Sequence, residues 1–213
     1  MRLAVALTAL AAAGALAGVA VAGQPKKEIK PAVQARAKTI SLRVADLAGS
    51  GWTPSPSSPN RGSTPTCPYY NPDQSDLTEN GDLDSPIFKA LDGSEAQSSV
   101  GIFVSAAEAK TAYARVVRPG LPRCVADLLR RSGGGSIAVV STSKLAFPHI
   151  GDRTAAYRTS LVVTSGKQKV PVKLDLVALN KGAVDVAFFF TGVGNGFSRA
   201  FESRAVIRVA SRI

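Results

Sequence analysis

The most constraining stretch of this chain lies near its end. From Lys169 onward, Val170, Val172, Leu174, Leu176 and Ala178 alternate with Lys169, Pro171, Lys173 and Asp175; Val184, Val186, Phe188 and Phe190 then alternate with Asp185 and Ala187. A period of two places each set on one side of a strand. Asn180-Lys181-Gly182 supplies turn chemistry between the runs, and Ser165-Gly166 supplies it before the first. The pattern predicts strands at about 137–144, 153–164, 168–179 and 183–191, with one dry sheet face. A dry face has to be covered. Segment 195–212 reads as the amphipathic helix that covers it, with Phe197, Phe201, Ile207 and Val209 among its apolar residues. The expected fold class is α+β, a single domain built as an antiparallel β-sheet meander with helices packed on it.

Upstream, residues 98–104 are rich in strand formers. Ser105 with Glu108 three positions later forms a capping-box signature for an Ala-rich helix ending near residue 118, where Pro119-Gly120 breaks it. A second helix, about 122–131, is expected to turn Cys124, Leu128 and Leu129 inward. The following Gly133-Gly134-Gly135 has neither a phosphate-loop Lys-Ser/Thr nor the G-x-G-x-x-G spacing, so it is no phosphate cradle. Residues 39–47 alternate as a short strand. Six prolines between residues 53 and 72 forbid helix or central strand there. Residues 23–38 carry five basic residues and one acid without apolar periodicity, and read as a flexible basic linker ahead of a domain at 39–213.

The first 22 residues carry one positive charge, no acid and an apolar run ending Ala20-Val21-Ala22. This is the composition of a cleaved signal peptide, with the cut expected between Ala22 and Gly23. The alternative, an uncleaved anchor, is disfavoured because ten of these residues are Ala, which adds little transfer free energy. A secreted, extracytoplasmic chain of 191 residues and net charge +10 would remain, with no transmembrane segment after cleavage. Export makes Cys67 and Cys124, the chain's two cysteines, a disulfide. It also removes nucleic acid as a natural partner despite a sequence pI near 10.1.

The order ADLAGSGWT, a loop cysteine, IFVSAAEAKTAYARVV followed by RCV, then IGDRTAAYR, a glycine-turned hairpin and a closing basic helix resembles actinobacterial secreted sensor-like domains of the PknH extracellular type. The likeness spans nearly all of residues 39–213. It implies a roughly six-stranded antiparallel sheet flanked by helices, with a cleft for an unidentified ligand. The sequence departs from that type in carrying no kinase segment, no lipid-bearing cysteine and only two cysteines.

Catalytic chemistry finds little purchase. A Ser or Cys nucleophile needs a base, and the single His149 sits in FPHIGD beside Asp152 with no G-x-S-x-G elbow anywhere. A secreted hydrolase using His149 is the alternative to a non-catalytic module. One histidine and two paired cysteines make no zinc site, and no cofactor is expected. Seven of 15 acids fall between Asp73 and Glu95, and the stretch Asp76 to Asp84 brushes against a calcium loop. The twelfth position of that loop is Ile87 instead of a bidentate Glu, so a solvated acidic loop is expected. Trp52, Tyr69 and Tyr70, with His149, are candidates to line a cleft for a small molecule, lipid or glycan, or else pack the Pro-rich segment down. From Gln97 to the end, 17 Lys or Arg stand against six acids. Arg204, Arg208 and Arg212 recur every four residues on one helix face, a candidate contact for an anionic cell-envelope surface. The expected function is ligand binding or sensing outside the cell, ligand unknown, with passive envelope interaction as a further alternative.

Overall fold

A computed structural model describes residues 23–49, 51–57 and 65–213. The signal segment expected at 1–22 lies outside them, apart from Gly23 just beyond its cut. The chain forms one α+β domain. Its sheet runs β1-β3-β5-β9-β8-β7-β6, with a side branch in which β2 pairs β4 and β4 pairs β5. In chain order the elements are β1 (Lys26–Lys27), α1 (Pro31–Ile40), a 3-10 turn (Val44–Asp46), β2 (Thr53–Ser55), β3 (Thr78–Asp84), β4 (Ile87–Lys89), β5 (Glu95–Phe103), α2 (Ala106–Val116), α3 (Gly120–Ser132), β6 (Ile137–Lys144), β7 (Arg153–Ser165), β8 (Gln168–Lys181), β9 (Val184–Val193) and α4 (Arg199–Ala210).

The C-terminal meander forms where the alternation places it. Gly166 and Gly182 sit at φ +59° and +57°, the left-handed conformation that tight hairpins between twisted strands require. The expectation of one dry face fails for a reason of register. Leu176 pairs with Phe189, so the even residues of β8 share a face with the odd residues of β9. The two apolar runs therefore point to opposite sides, and each side needs its own helical cover. On the first face Val177, Leu179, Val184, Val186, Phe188 and Phe190 pack with Ala37 and Ile40 of α1 and Ala205, Val206 and Val209 of α4. On the second face smaller clusters form under α2 and α3: Leu77, Phe103, Ala109 and Ala112 make one, Tyr70, Leu121, Cys124 and Leu128 another, and Leu129, Ile137, Leu161 and Val172 a third.

Several expectations at the N-terminal side are corrected. Residues 23–38 are not a tether: Lys26–Lys27 pairs in parallel with β3, which makes the sheet mixed, and α1 follows. Pro31 at the start of α1 supplies a preset φ, and Ala37 and Ile40 are fully buried. Gln34 clamps the helix to β3 by donating to the Asp82 carbonyl (2.8 Å) and accepting from the Asp82 N–H (3.0 Å). Gly81 lets it approach, since a Cβ there would lie 3.0 Å from Val33 Cγ1. The strand expected over 39–47 is instead the end of α1 and the 3-10 turn. The acidic stretch is not a solvated loop either: residues 78–84 form β3, and Glu79 and Glu95 are buried. Its acids meet the chain's own cations, Asp76 with Arg115, Glu79 and Asp82 with Lys27, and Glu95 with Lys89.

The helices of the second face follow the sequence closely. Ser105 Oγ accepts from Glu108 N (3.2 Å) to open α2, but the Glu108 carboxylate turns outward to Thr78 N (2.7 Å) and stitches α2 to β3. Cys124, Leu128 and Leu129 of α3 are buried as expected. On α4 the expected inward Ile207 is instead half exposed, and Glu202 takes an inward position.

Candidate functional site

Cys67 and Cys124 form a disulfide, with Cα atoms 5.7 Å apart. It fastens the Pro-rich segment to α3 across 57 residues, and Tyr70 beside it is buried, its hydroxyl donating to the Val116 carbonyl at 2.6 Å. Burial pushes the Tyr70 hydroxyl well above the ordinary phenol range. Tyr69 points out along α3, donating to Asp127 Oδ2 (2.5 Å) with the Arg123 guanidinium 4.4 Å from its ring centre. Trp52 lies on the opposite side of the sheet. It stacks on Phe197 and Phe201, both centroids 5.9 Å away, and those two rings stack on each other at 4.7 Å. The tryptophan and the tyrosines therefore belong to different cores and line no common cleft.

His149 is exposed in the segment leading to β7. The Asp152 carboxylate beside it in sequence accepts the Gly182 N–H (2.8 Å), a turn-closing role. Of the three arginines expected on one outer face, Arg212 is packed inward. It donates to both Asp46 carboxylate oxygens (2.8 and 2.7 Å) and to the Ile40 and Ser41 carbonyls (3.0 Å each). Arg208 reaches the Ala45 carbonyl (2.7 Å) from an exposed position, and Arg204 is exposed.

The candidate binding surface is a strip of the second face that runs past α2. Register builds it row by row. Asp82 pairs with Gly101, Gly101 with Asp185, Asp185 with Asn180 and Asn180 with Arg153. The next row runs Asp84, Ser99, Ala187 and Ala178, and a further one joins Gln97, Phe189, Leu176 and Tyr157. Ser99, Ala187, Ala178 and Phe189 are only half-buried, although they sit in the middle of the sheet. The floor is made of small residues and one aromatic ring. A side chain at Gly101 would have to displace the Glu79 carboxylate, whose Oε1 lies 2.7 Å from where its Cβ would stand.

One edge of this strip is acidic and finely balanced. Lys27 Nζ lies 2.5 Å from both Glu79 Oε2 and Asp82 Oδ2. Burial raises Glu79 above the ordinary carboxylate range against the pull of Lys27. Asp185 accepts from Asn180 Nδ2 (2.7 Å), yet burial, helped by the Glu79 charge, pushes it up to about 7. Burial likewise raises the Tyr113 hydroxyl, over the same end of the strip. The strip thus offers a carboxyl group that changes charge near neutral pH and an apolar floor.

A second buried ionisable group sits under α4. Arg158 grips Asp175 with both ends of its fork, Nε to Oδ1 at 2.7 Å and Nη2 to Oδ2. Glu202 is fully buried, 3.9 Å from Arg158 Nη2, and neither of its oxygens accepts a hydrogen bond. Burial and the adjoining Asp175 carboxylate push Glu202 up to about 9, so it holds its proton at neutral pH and faces Asp175 as an acid. Asp185 and Glu202 escaped sequence reasoning, and Glu79 was read only as part of the acidic stretch. For Asp185 the one signal was an acid inside an apolar run, and its side of the sheet depended on register.

Among the described residues no group of three or more His, Cys, Asp or Glu is placed to hold a metal ion, and no helix is long and apolar enough to cross a membrane. No family model and no curated protein matches the chain. Among solved structures, its fold is similar to the crystal structure of the extracellular domain of PknH from Mycobacterium tuberculosis, at 12% identity and a TM-score of 0.45, covering 86% of this chain and 97% of that one.

Proposed function

We propose that this protein is a non-catalytic ligand-binding or sensor-like module acting outside the cytoplasm. The observation that carries the reading is the half-buried strip of the second face, where Ser99, Ala187, Ala178 and Phe189 hold the centre of the sheet without full cover from the described residues. An antiparallel sheet can leave part of one face open to solvent, and a partly open apolar floor with a convergent polar group is the usual make-up of a small-molecule site. The ligand that fits is a small amphiphile, with an apolar body on Phe189 and Ala187 and a hydrogen-bonding end toward Asp185. The export signal read in residues 1–22 supports an encounter outside the cell. The hydrolase reading gains nothing from His149, because the neighbouring Asp152 carboxylate is engaged in closing a turn.

Native mass spectrometry of the protein recovered from the medium of its own producing cells tests the proposal. A bound small molecule that is retained by the wild type and lost in Ala187→Trp, with the fold intact by circular dichroism, is the expected result. A wild type that carries no added mass, and whose melting temperature does not move with extracts of those cells, contradicts it.

A further inference from the structure

We infer that the outer face formed by α1, the 3-10 turn and α4 docks onto an anionic lipid bilayer, inserting Val44 and Ile207 between a ring of arginines. The inference concerns a surface on the opposite side of the sheet from the proposed ligand strip, so it stands or falls separately from that reading.

Three elements are fastened into one face. Arg208 Nη1 donates to the Ala45 carbonyl (2.7 Å), which joins α4 to the 3-10 turn. Arg36 Nη2 reaches the Ile213 carbonyl (3.2 Å), which joins α1 to the end of the chain beyond α4. Half-buried Arg212 pins the same corner by gripping Asp46 and the Ile40 and Ser41 carbonyls.

The exposed charged side chains of these three elements have one sign. Arg36, Arg43, Arg204 and Arg208 are exposed, whereas α1 has no acid, the 3-10 turn has only Asp46 and α4 has only Glu202, both buried. Asp46 is neutralised by Arg212, and Glu202 carries its proton. The exposed arginines therefore have no competing carboxylate on these elements. Among them stand two apolar side chains that the fold leaves out, Val44 at 42% exposure and Ile207 at 50%. Ile207 breaks the alternation of its helix, whose core positions are Ala205, Val206, Val209 and Ala210. Branched apolar side chains ringed by cations on a helix face are the composition of an interfacial contact, in which apolar groups enter the headgroup boundary while basic residues meet anionic lipid. A soluble polyanion would use the arginines alone and leave Val44 and Ile207 idle. The apolar pair is what favours a bilayer.

The test uses residues 23–213, which hold every described element of the fold, in co-sedimentation with vesicles of phosphatidylcholine alone, the same lipid with 30% phosphatidylglycerol, and soluble polyphosphate. Each cation near an anionic surface is worth about fivefold in partitioning. The wild type is expected on the anionic vesicles only, and to be released as rising salt shortens the screening length below about 8 Å. Arg43→Gln with Arg204→Gln should weaken vesicle partitioning by more than about tenfold. Val44→Ser with Ile207→Ser should weaken it by more than about tenfold while polyphosphate binding stays unchanged, as expected when the exposed parts of two apolar side chains leave water. Leu91→Ser, which removes the most exposed apolar side chain of the described residues from the β4–β5 turn, should change nothing. Thermal melts of all variants should match the wild type. Vesicle binding that ignores the Val44/Ile207 pair, or that Leu91→Ser abolishes, overturns the inference, as does equal binding to neutral lipid.

Discussion

The two faces of the sheet are closed by different means. On the first, α1 and α4 lie over one continuous core in which Phe188 and Phe190 stack and Phe190 meets Phe197 and Phe201 edge-on. On the second, α2 and α3 sit over three separate small clusters, and a disulfide holds the connecting segment in place. Packing seals one face, and a covalent staple completes the other. The half-buried strip that carries the proposed site lies on this divided face. The comparison teaches that the second face is the side with less apolar cohesion, which is where local opening costs least.

The largest effect that would sharpen the contrast comes from the continuous core. Phe190→Ala removes a fully buried ring at the junction of the aromatic cluster and should cost about 3–5 kcal/mol, read from denaturant unfolding. A cost near 1 kcal/mol would mean that the first face is no better packed than the second. Next comes the staple: Cys67→Ser with Cys124→Ser should cost about 2–4 kcal/mol, through loss of the constraint on a 57-residue loop.

The buried acids give the contrast a pH signature. Glu202 has its pKa raised in the folded state, so its contribution is fully present below the unfolded value and is lost as pH rises toward about 9. Stability should fall between about pH 5 and pH 9 through this group. Glu202→Gln should flatten that fall and raise the melting temperature at pH 8. An unchanged pH profile would mean that Glu202 is ionised and paired with Arg158. Asp185 acts in the same direction over a lower window, its contribution lost as pH rises through about 7. Its half-open position discounts the effect to about 1 kcal/mol. Asp185→Asn should remove this smaller slope, and an Asp185→Asn profile identical to wild type would leave the strip with a permanently charged floor.

Much of this architecture was legible in the residues. The last four strands, α2, α3 and the disulfide follow from alternation, capping and export. Local patterns are short-ranged, however, and the misreadings all turn on contacts far apart in sequence. The run Val172 to Ala178 and the run Val184 to Phe190 look like one dry face until the pairing of Leu176 with Phe189 sets them on opposite sides. The basic stretch 23–38 looks solvated because its burial comes from a few small residues, Ala37 against the core and Gly81 beneath Val33, with no long apolar stripe. Arg212 sits on the same helical phase as Arg204 and Arg208, but Asp46, 166 positions away, draws it inward. Trp52 and Tyr70 are 18 positions apart in one Pro-rich segment, and that segment carries them to opposite faces of the sheet.

Hydrogen exchange of the oxidised and reduced protein, resolved by helix, tests most directly the claim that one face is sealed by packing and the other by the bridge. On reduction, α3 and residues 65–72 should lose protection by at least about tenfold, the equivalent of 1.4 kcal/mol, while α1 and α4 keep theirs. Equal loss over all four helices would show a single cooperative core across the sheet and contradict the account.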